Sequence, residues 1–201
     1  MSFPTPIDVW FDFSSPYAYL ASTWIEPLAA RHGRRVRWHA MLLGATLAAA
    51  ELRPPVAYPL KGDYMRRDFE RSARFEGVPY RPPPRFPIAT QNAARIFWWL
   101  QSQDESRAAG WARRALAAYF AEGVQLDEMP ALLALAGRCG LDPAQAQAAC
   151  ADPQWKAHLK QVNDQAIAAG IFGAPWIVVD GEPFWGNDRR AHIERWLASP
   201  F

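Results

Sequence analysis

Ile7-Asp8-Val9-Trp10-Phe11-Asp12-Phe13-Ser14-Ser15-Pro16-Tyr17-Ala18 is the stretch whose reading decides the fold. Ile7 to Phe13 is short, apolar and β-prone, which predicts a buried strand. Ser14-Ser15-Pro16 ends it. Ser15 is a favoured N-cap, and Pro16 fits the first helical position because its missing N–H would be unpaired there anyway. Tyr17, Leu20, Ala21, Trp24, Ile25 and Leu28 then recur at helical spacing, and Gly33 is a helix stop. Val36, Trp38 and Ala40 alternate with Arg37 and His39, which reads as a second strand. Strand, helix and strand at these lengths form a right-handed parallel βαβ unit.

The pattern changes after this unit. Leu52 to Leu60 is proline-rich and reads as a loop, Tyr64 to Phe75 as a helix, and Tyr80 to Pro87 as another proline-rich loop. From Gln91 to Ala169 the periodicity is helical throughout. Asp142-Pro143 and Asp152-Pro153 each pair an N-cap with proline at the first helical position. Trp176–Val179 and Pro183–Trp185 flank Asp180-Gly181-Glu182, a hairpin signal. A last helix is expected over Asp188–Leu197, with Ile193, Trp196 and Leu197 inward. The order is βαβ, many helices, ββα. Without its helical middle this is the thioredoxin arrangement: an α/β fold whose sheet is split by a large all-helical insertion. The expected division is 1–45 with 170–201 for the discontinuous thioredoxin-like part, and 46–169 for the insertion.

Composition removes several classes of function. The 201 residues carry 22 Lys+Arg against 20 Asp+Glu, a net charge of +2. So balanced a chain lacks the electrostatic footprint of a nucleic-acid partner. No apolar run approaches the ~20 residues needed to span a bilayer. Met1 to Asp8 has neither the basic nor the apolar region of a secretory signal, so a cytoplasmic protein is expected. The two cysteines, Cys139 and Cys150, cannot make a disulfide scaffold or a four-ligand zinc site. Both are expected to be buried or partly buried structural thiols. The histidines, His32, His39, His158 and His192, show no metal-ligand spacing. Ten tryptophans exceed what a core requires, so some are expected to line a pocket.

Three places carry candidate chemistry. In a thioredoxin arrangement the first βα turn holds the reactive group, since a helix N-terminus aims free N–H groups and positive dipole at it. Here that turn is Ser15-Pro16-Tyr17-Ala18, with no thiol, so dithiol chemistry at the turn is excluded. A serine hydroxyl can still donate a hydrogen bond to a thiolate supplied by another molecule. No G-x-S-x-G elbow surrounds Ser14 or Ser15, which argues against a serine hydrolase. Second, Gly173-Ala174-Pro175-Trp176 places a proline before a strand. In this arrangement it is the cis proline facing the active turn, and the N–H and C=O of Ala174 pair with an extended peptide. Third, Gly186-Asn187-Asp188-Arg189 opens a helix and suits an amino-acid group. The ordinary alternatives are capping at Ser15 and Asn187 and an edge proline at Pro175.

FDFSSPYAYLAS, KGDYMRRD and GAPWIVVDGEPFWGNDRR, taken together and in order, resemble the 2-hydroxychromene-2-carboxylate isomerase family. That family is related to kappa-class glutathione transferases and to bacterial periplasmic disulfide oxidoreductases. The resemblance spans most of the chain. It implies a glutathione-dependent isomerase acting on a small aromatic carboxylate by reversible thiolate addition. It assigns the thiol-activating serine to Ser15 and a neighbouring glutathione contact to Tyr17. The clamp for the glutathione cysteine falls on Ala174 beside cis Pro175, and the γ-glutamyl contacts on Asn187 and Asp188. Lys61, Tyr64 and Arg67 match the substrate-side run, with Asp68 in the same pattern. It also suggests a homodimer, for which Trp98-Trp99 offers a face. Trp98, Trp99 or Trp176 would hold the flat ring. Leu52, Arg66 and Ala89 depart from the family pattern. Leu52 stands where the family often has a polar asparagine, and Arg53 beside it can make a polar bond to glutathione instead. A kappa-like transferase or peroxidase, and a non-catalytic peptide-binding module, are the alternatives.

Overall fold

The structure, a computed structural model, describes residues 5–201. Strand β1 (Ile7–Phe11) runs parallel to β2 (Val36–Ala40) and antiparallel to β3 (Trp176–Val179), which pairs antiparallel with β4 (Glu182–Trp185). The sheet order is β2-β1-β3-β4. This is the split thioredoxin sheet expected from the sequence.

Strand register puts the apolar set on one face. Val9 lies opposite both Trp38 and Ile177, and Ile177 lies opposite Phe184. Ile7, Val9, Phe11 and Ile177 are completely buried, as alternation on a half-covered sheet requires. Helix α1 (Pro16–Arg31) packs beside β2 and against α5 (Glu105–Phe120), while α9 (Arg190–Ala198) packs against β3. Between the halves lie α2 (Leu43–Ala49), a single 3-10 turn (Pro55–Ala57), α3 (Lys61–Glu76), α4 (Gln91–Gln101), α5, α6 (Met129–Arg138), α7 (Pro143–Ala151) and α8 (Pro153–Ala168). Among the described residues no helix is long and apolar enough to cross a membrane.

Asp142 and Asp152 cap as expected, each accepting an N–H two residues on at 2.8 Å. Other boundaries differ. β1 ends at Phe11, because Asp12 folds back to accept the Ser14 N–H at 2.7 Å and closes the turn. α3 begins at Lys61 rather than Tyr64. The last helix opens as a 3-10 turn over Asn187–Arg189, and its Ile193 is fully buried while Trp196 and Leu197 are half-buried. α2 has no counterpart in the sequence reading.

Four of the ten tryptophans, Trp24, Trp38, Trp98 and Trp111, are buried. An indole N–H removed from water needs an acceptor. Trp98 donates to the Ala40 carbonyl at 2.9 Å, Trp111 to that of Ala93 at 3.0 Å, and Trp38 to Glu26 at 2.9 Å. Trp98 is buried, so a Trp98-Trp99 face for a second subunit is not available as expected.

Candidate active site

A cavity of about 1340 Å³ opens where the sheet meets the insertion. Three segments from the sheet side converge on it: Ser14–Tyr17, Phe172–Ala174 and Trp185–Arg189. Opposite them stand the walls of the insertion, from Leu42–Leu47, Leu52–Tyr58, α3 and Phe86–Gln91.

Ser15 sits at the head of α1 and is 3% exposed. Its Oγ accepts the Ala18 N–H at 3.2 Å and donates to the Ala174 carbonyl at 2.9 Å. The first bond is the N-cap and the second joins the two reactive segments, so capping and a site role coexist. The Ala174–Pro175 peptide is cis, as expected, and so is Phe86–Pro87. A Cβ at Gly173 would lie 2.1 Å from the Trp185 Nε1, so a larger residue here requires that indole to move.

Asn187 and Asp188 divide in role. Asn187 is 6% exposed, and its amide is held at both ends. Its oxygen accepts from Trp24 at 2.7 Å and its nitrogen donates to Glu76 at 3.3 Å. Asp188 reaches solvent and pairs with Arg189 at 2.5 Å. Both residues line the cavity.

Helical geometry sorts the α3 residues. Lys61, Met65, Asp68, Phe69 and Ser72 follow the i, i+4, i+7, i+8 stripe and line the cavity. Tyr64 and Arg67 fall off that stripe, are exposed, and do not line it; Tyr64 instead accepts from Arg71 at 3.0 Å. Tyr17 donates to Asp68, which also pairs with Arg71. Burial first, and then the neighbouring Asp68, push the Tyr17 phenol well above its usual range, so it remains a neutral donor.

The aromatic lining differs from expectation. Trp98, Trp99 and Trp176 do not line the cavity; the ring-bearing residues there are Tyr17, Tyr58, Phe69, Phe86, Phe172 and Trp185. Arg53 lines it too, beside Leu52. Cys139 and Cys150 lie at the end of α6 and in α7, half-buried and buried, and neither lines the cavity.

Sequence reasoning passed over Asp12. It is 3% exposed, lines the cavity floor and takes three hydrogen bonds. Oδ1 accepts from the Ser14 N–H at 2.7 Å and the Thr90 hydroxyl at 2.8 Å, and Oδ2 accepts from the Leu43 N–H at 2.6 Å. Burial pushes its carboxyl above the usual range, against those bonds. A lone aspartate between two phenylalanines in an otherwise apolar strand end was the available signal.

Taken together, the site is a helix N-terminus without a thiol, a cis-proline edge beside it, and a mostly apolar wall carrying Lys61 and Arg53. Residues 6–198 match the family model for the DSBA-like thioredoxin domain. A 2-hydroxychromene-2-carboxylate isomerase of Sphingobium xenophagum is 31% identical over 196 residues, covering 95% of this chain and 97% of the relative. Glutathione S-transferase kappa 1 of Caenorhabditis elegans is 28% identical, covering 96% and 91%. A solved structure of a 2-hydroxychromene-2-carboxylate isomerase superposes with a TM-score of 0.86 at 26% identity, covering 96% of this chain and 95% of that one. The chain therefore belongs to the DSBA-like thioredoxin domain family, with 2-hydroxychromene-2-carboxylate isomerases and kappa-class glutathione transferases among its relatives.

Proposed function

We propose that the chain is a glutathione-dependent isomerase of 2-hydroxychromene-2-carboxylate, or of a similar flat aromatic carboxylate. The observation that carries this reading is the Ser15 hydroxyl. It is buried at a helix N-terminus, bonded to the Ala174 carbonyl, and faces a cavity large enough for two ligands. Single-ligand pockets are typically ~300–1,000 Å³, and this one is larger.

The donor set fits glutathione. Its thiol needs a hydrogen-bond donor and local positive potential, which Ser15 and the start of α1 supply. Its peptide needs a strand-like edge, which Ala174 supplies. Its ammonium suits Asp188, and its carboxylates suit the N–H groups at Asn187–Arg189 and the cation at Arg53. Glutathione held there would supply a thiolate for reversible addition to a conjugated double bond, which could rotate while single and re-form as the thiolate is expelled.

The chain's own residues do the rest. Ser15 holds a hydrogen bond on the sulfur position and lowers the thiol's pKa from its ordinary ~8.5. Lys61 orients the substrate carboxylate. Leu43, Leu47, Val56, Phe69, Phe86 and Ile88 surround the ring and exclude water, which strengthens each polar contact. No net oxidation or consumption of glutathione is needed.

The test is isomerisation of the chromene with catalytic amounts of glutathione. Turnover far exceeding the glutathione supplied supports the isomerase. The kappa-class relative favours a second reading, a transferase, in which one glutathione disappears for each electrophile. No turnover in either assay would overturn both.

A further inference from the structure

Three helices of this molecule begin at one buried carboxylate. Leu43, whose N–H bonds Asp12 Oδ2 at 2.6 Å, is the first residue of α2. Thr90, whose hydroxyl bonds Oδ1 at 2.8 Å, is the N-cap of α4, and its side chain makes no capping bond of its own. Ser14, whose N–H bonds Oδ1 at 2.7 Å, stands two residues before α1. Of the three donors, the Leu43 N–H is a free amide at a helix start, while the Thr90 hydroxyl and the Ser14 N–H tie the N-cap of α4 and the approach to α1 to the same side chain. Asp12 is joined in this way to the reactive turn and to two walls on the insertion side.

We infer that Asp12 is a positioning residue that sets the acceptor walls at Leu43 and Thr90 against the Ser14-Ser15 turn, and so governs handling of the acceptor rather than binding of glutathione. The inference rests on the glutathione reading above. Asp12 itself is 3% exposed at the cavity, and both of its carboxyl oxygens are taken up by Leu43, Thr90 and Ser14. The γ-glutamyl segment at Asn187-Asp188 and the Ala174 edge make no bond to it. An ångström-scale displacement of one reactant relative to the other is enough to slow a reaction steeply.

The substitution Asp12→Asn is nearly isosteric but exchanges one acceptor for a donor. Oδ1 can keep Ser14 and Thr90, while the amide nitrogen then faces the Leu43 N–H, or the reverse. Thr90→Val removes one bond at constant size, and Thr90→Ser restores it. Glutathione affinity by calorimetry and steady-state kinetics with 2-hydroxychromene-2-carboxylate at saturating glutathione separate the roles. The expected result for Asp12→Asn is a glutathione Kd within about threefold of wild type and an acceptor kcat/KM lower by about tenfold or more. Thr90→Val should move the same way by less, Thr90→Ser should recover, and the double variant should be non-additive.

Folded Asp12→Asn and Thr90→Val with wild-type kinetics would overturn the inference, leaving Asp12 a purely structural residue. Equal losses in glutathione affinity and acceptor kinetics would also overturn it. If Asp12→Asn does not fold, the Thr90→Val and Thr90→Ser pair decides alone. Wild type that binds no glutathione overturns the glutathione reading itself, a result seen before any variant is made.

Discussion

The Ser15 hydroxyl lies 2.9 Å from the Ala174 carbonyl oxygen and donates its one proton there. A hydroxyl has a single donor, so it cannot hold this bond and one to a thiolate together. On the proposed function, ligand binding turns the hydroxyl toward sulfur and leaves the Ala174 carbonyl needing another donor. Leaving a buried acceptor unsatisfied costs about 1–3 kcal/mol. A peptide N–H of the ligand meets that need. Thiols without a peptide N–H, such as 2-mercaptoethanol, should therefore support isomerisation at least about tenfold less well than glutathione at saturation. Equal rates at saturation would contradict the exchange.

Ser15→Ala removes both the cap and the donor. Loss of the Ala18 bond should lower stability by about 1 kcal/mol, seen in denaturant melts. Loss of a donor to the developing charge should lower kcat/KM by about 100-fold or more. Normal kinetics in the folded variant would remove Ser15 from the mechanism.

Asn187 has a structural duty that its position in the cavity conceals. Asn187→Ala strands the buried Trp24 N–H and removes a partner of Glu76. The expected loss is about 1–3 kcal/mol of stability. Unchanged melting would show that the Trp24 bond contributes nothing.

Gly62 lies under the Pro55–Ala57 turn, where a Cβ would meet the Val56 carbonyl oxygen at 2.6 Å. Gly62→Ala must push α3 from that turn, at a cost of about 1–3 kcal/mol, and shift Lys61 at the cavity mouth. Weaker acceptor binding than wild type is the functional sign of that shift.

Acid stability offers a test remote from the site. Burial alone would raise the Asp8 carboxyl, but bonds from His39 at 2.7 Å and Arg37 at 2.5 Å outweigh it and hold the group at about 2. Its folded value lies below the ordinary 3.8, so Asp8 contributes stability above about pH 4 that is lost as pH falls toward 2. Asp8→Asn should be less stable at neutral pH and lose less over that acid range. Parallel pH profiles in denaturant titrations would contradict this.

Most of the fold was legible because its signals are local. Alternation in β1 and β2, the Asp-Gly hairpin and the Asp-Pro caps depend on residues adjacent in sequence. α2 was missed because its cap is not local. Leu42, at its N-cap position, offers no side-chain hydrogen bond, and Asp12 reaches the Leu43 N–H from 31 residues away. α3 was started late for a similar reason: Leu60 precedes it with a positive φ of 63° and no capping side chain. At the site, Ser15, Ala174 and Lys61 were found by motif. Tyr64 and Arg67 were carried in by the same motif, although helical phase turns them outward. Of the tryptophans expected to line a pocket Trp185 does, whereas Trp98, Trp99 and Trp176 do not, and the Trp98 indole N–H is used inside the core.

On the proposed function the reactive thiol is glutathione's, and the protein's own two cysteines take no part. Burial pushes the Cys150 thiol up to about 11 and raises Cys139 as well. A thiol reagent at neutral pH should react slowly with both, and replacing both by alanine should leave glutathione-dependent turnover intact. Loss of turnover in that variant, with folding preserved, would mean that the protein supplies its own sulfur.

On the proposed function, glutathione binds at the Ser15–Ala174 junction. Calorimetric titration of glutathione into wild type and Ser15→Ala, paired with thiolate absorbance of the bound ligand across pH, tests it most directly. One saturable site per chain is expected in wild type. The bound thiol should ionise below its free value of ~8.5, with a return toward that value in Ser15→Ala. No saturable binding to wild type, or a bound thiol ionising as it does in free solution, would contradict the claim.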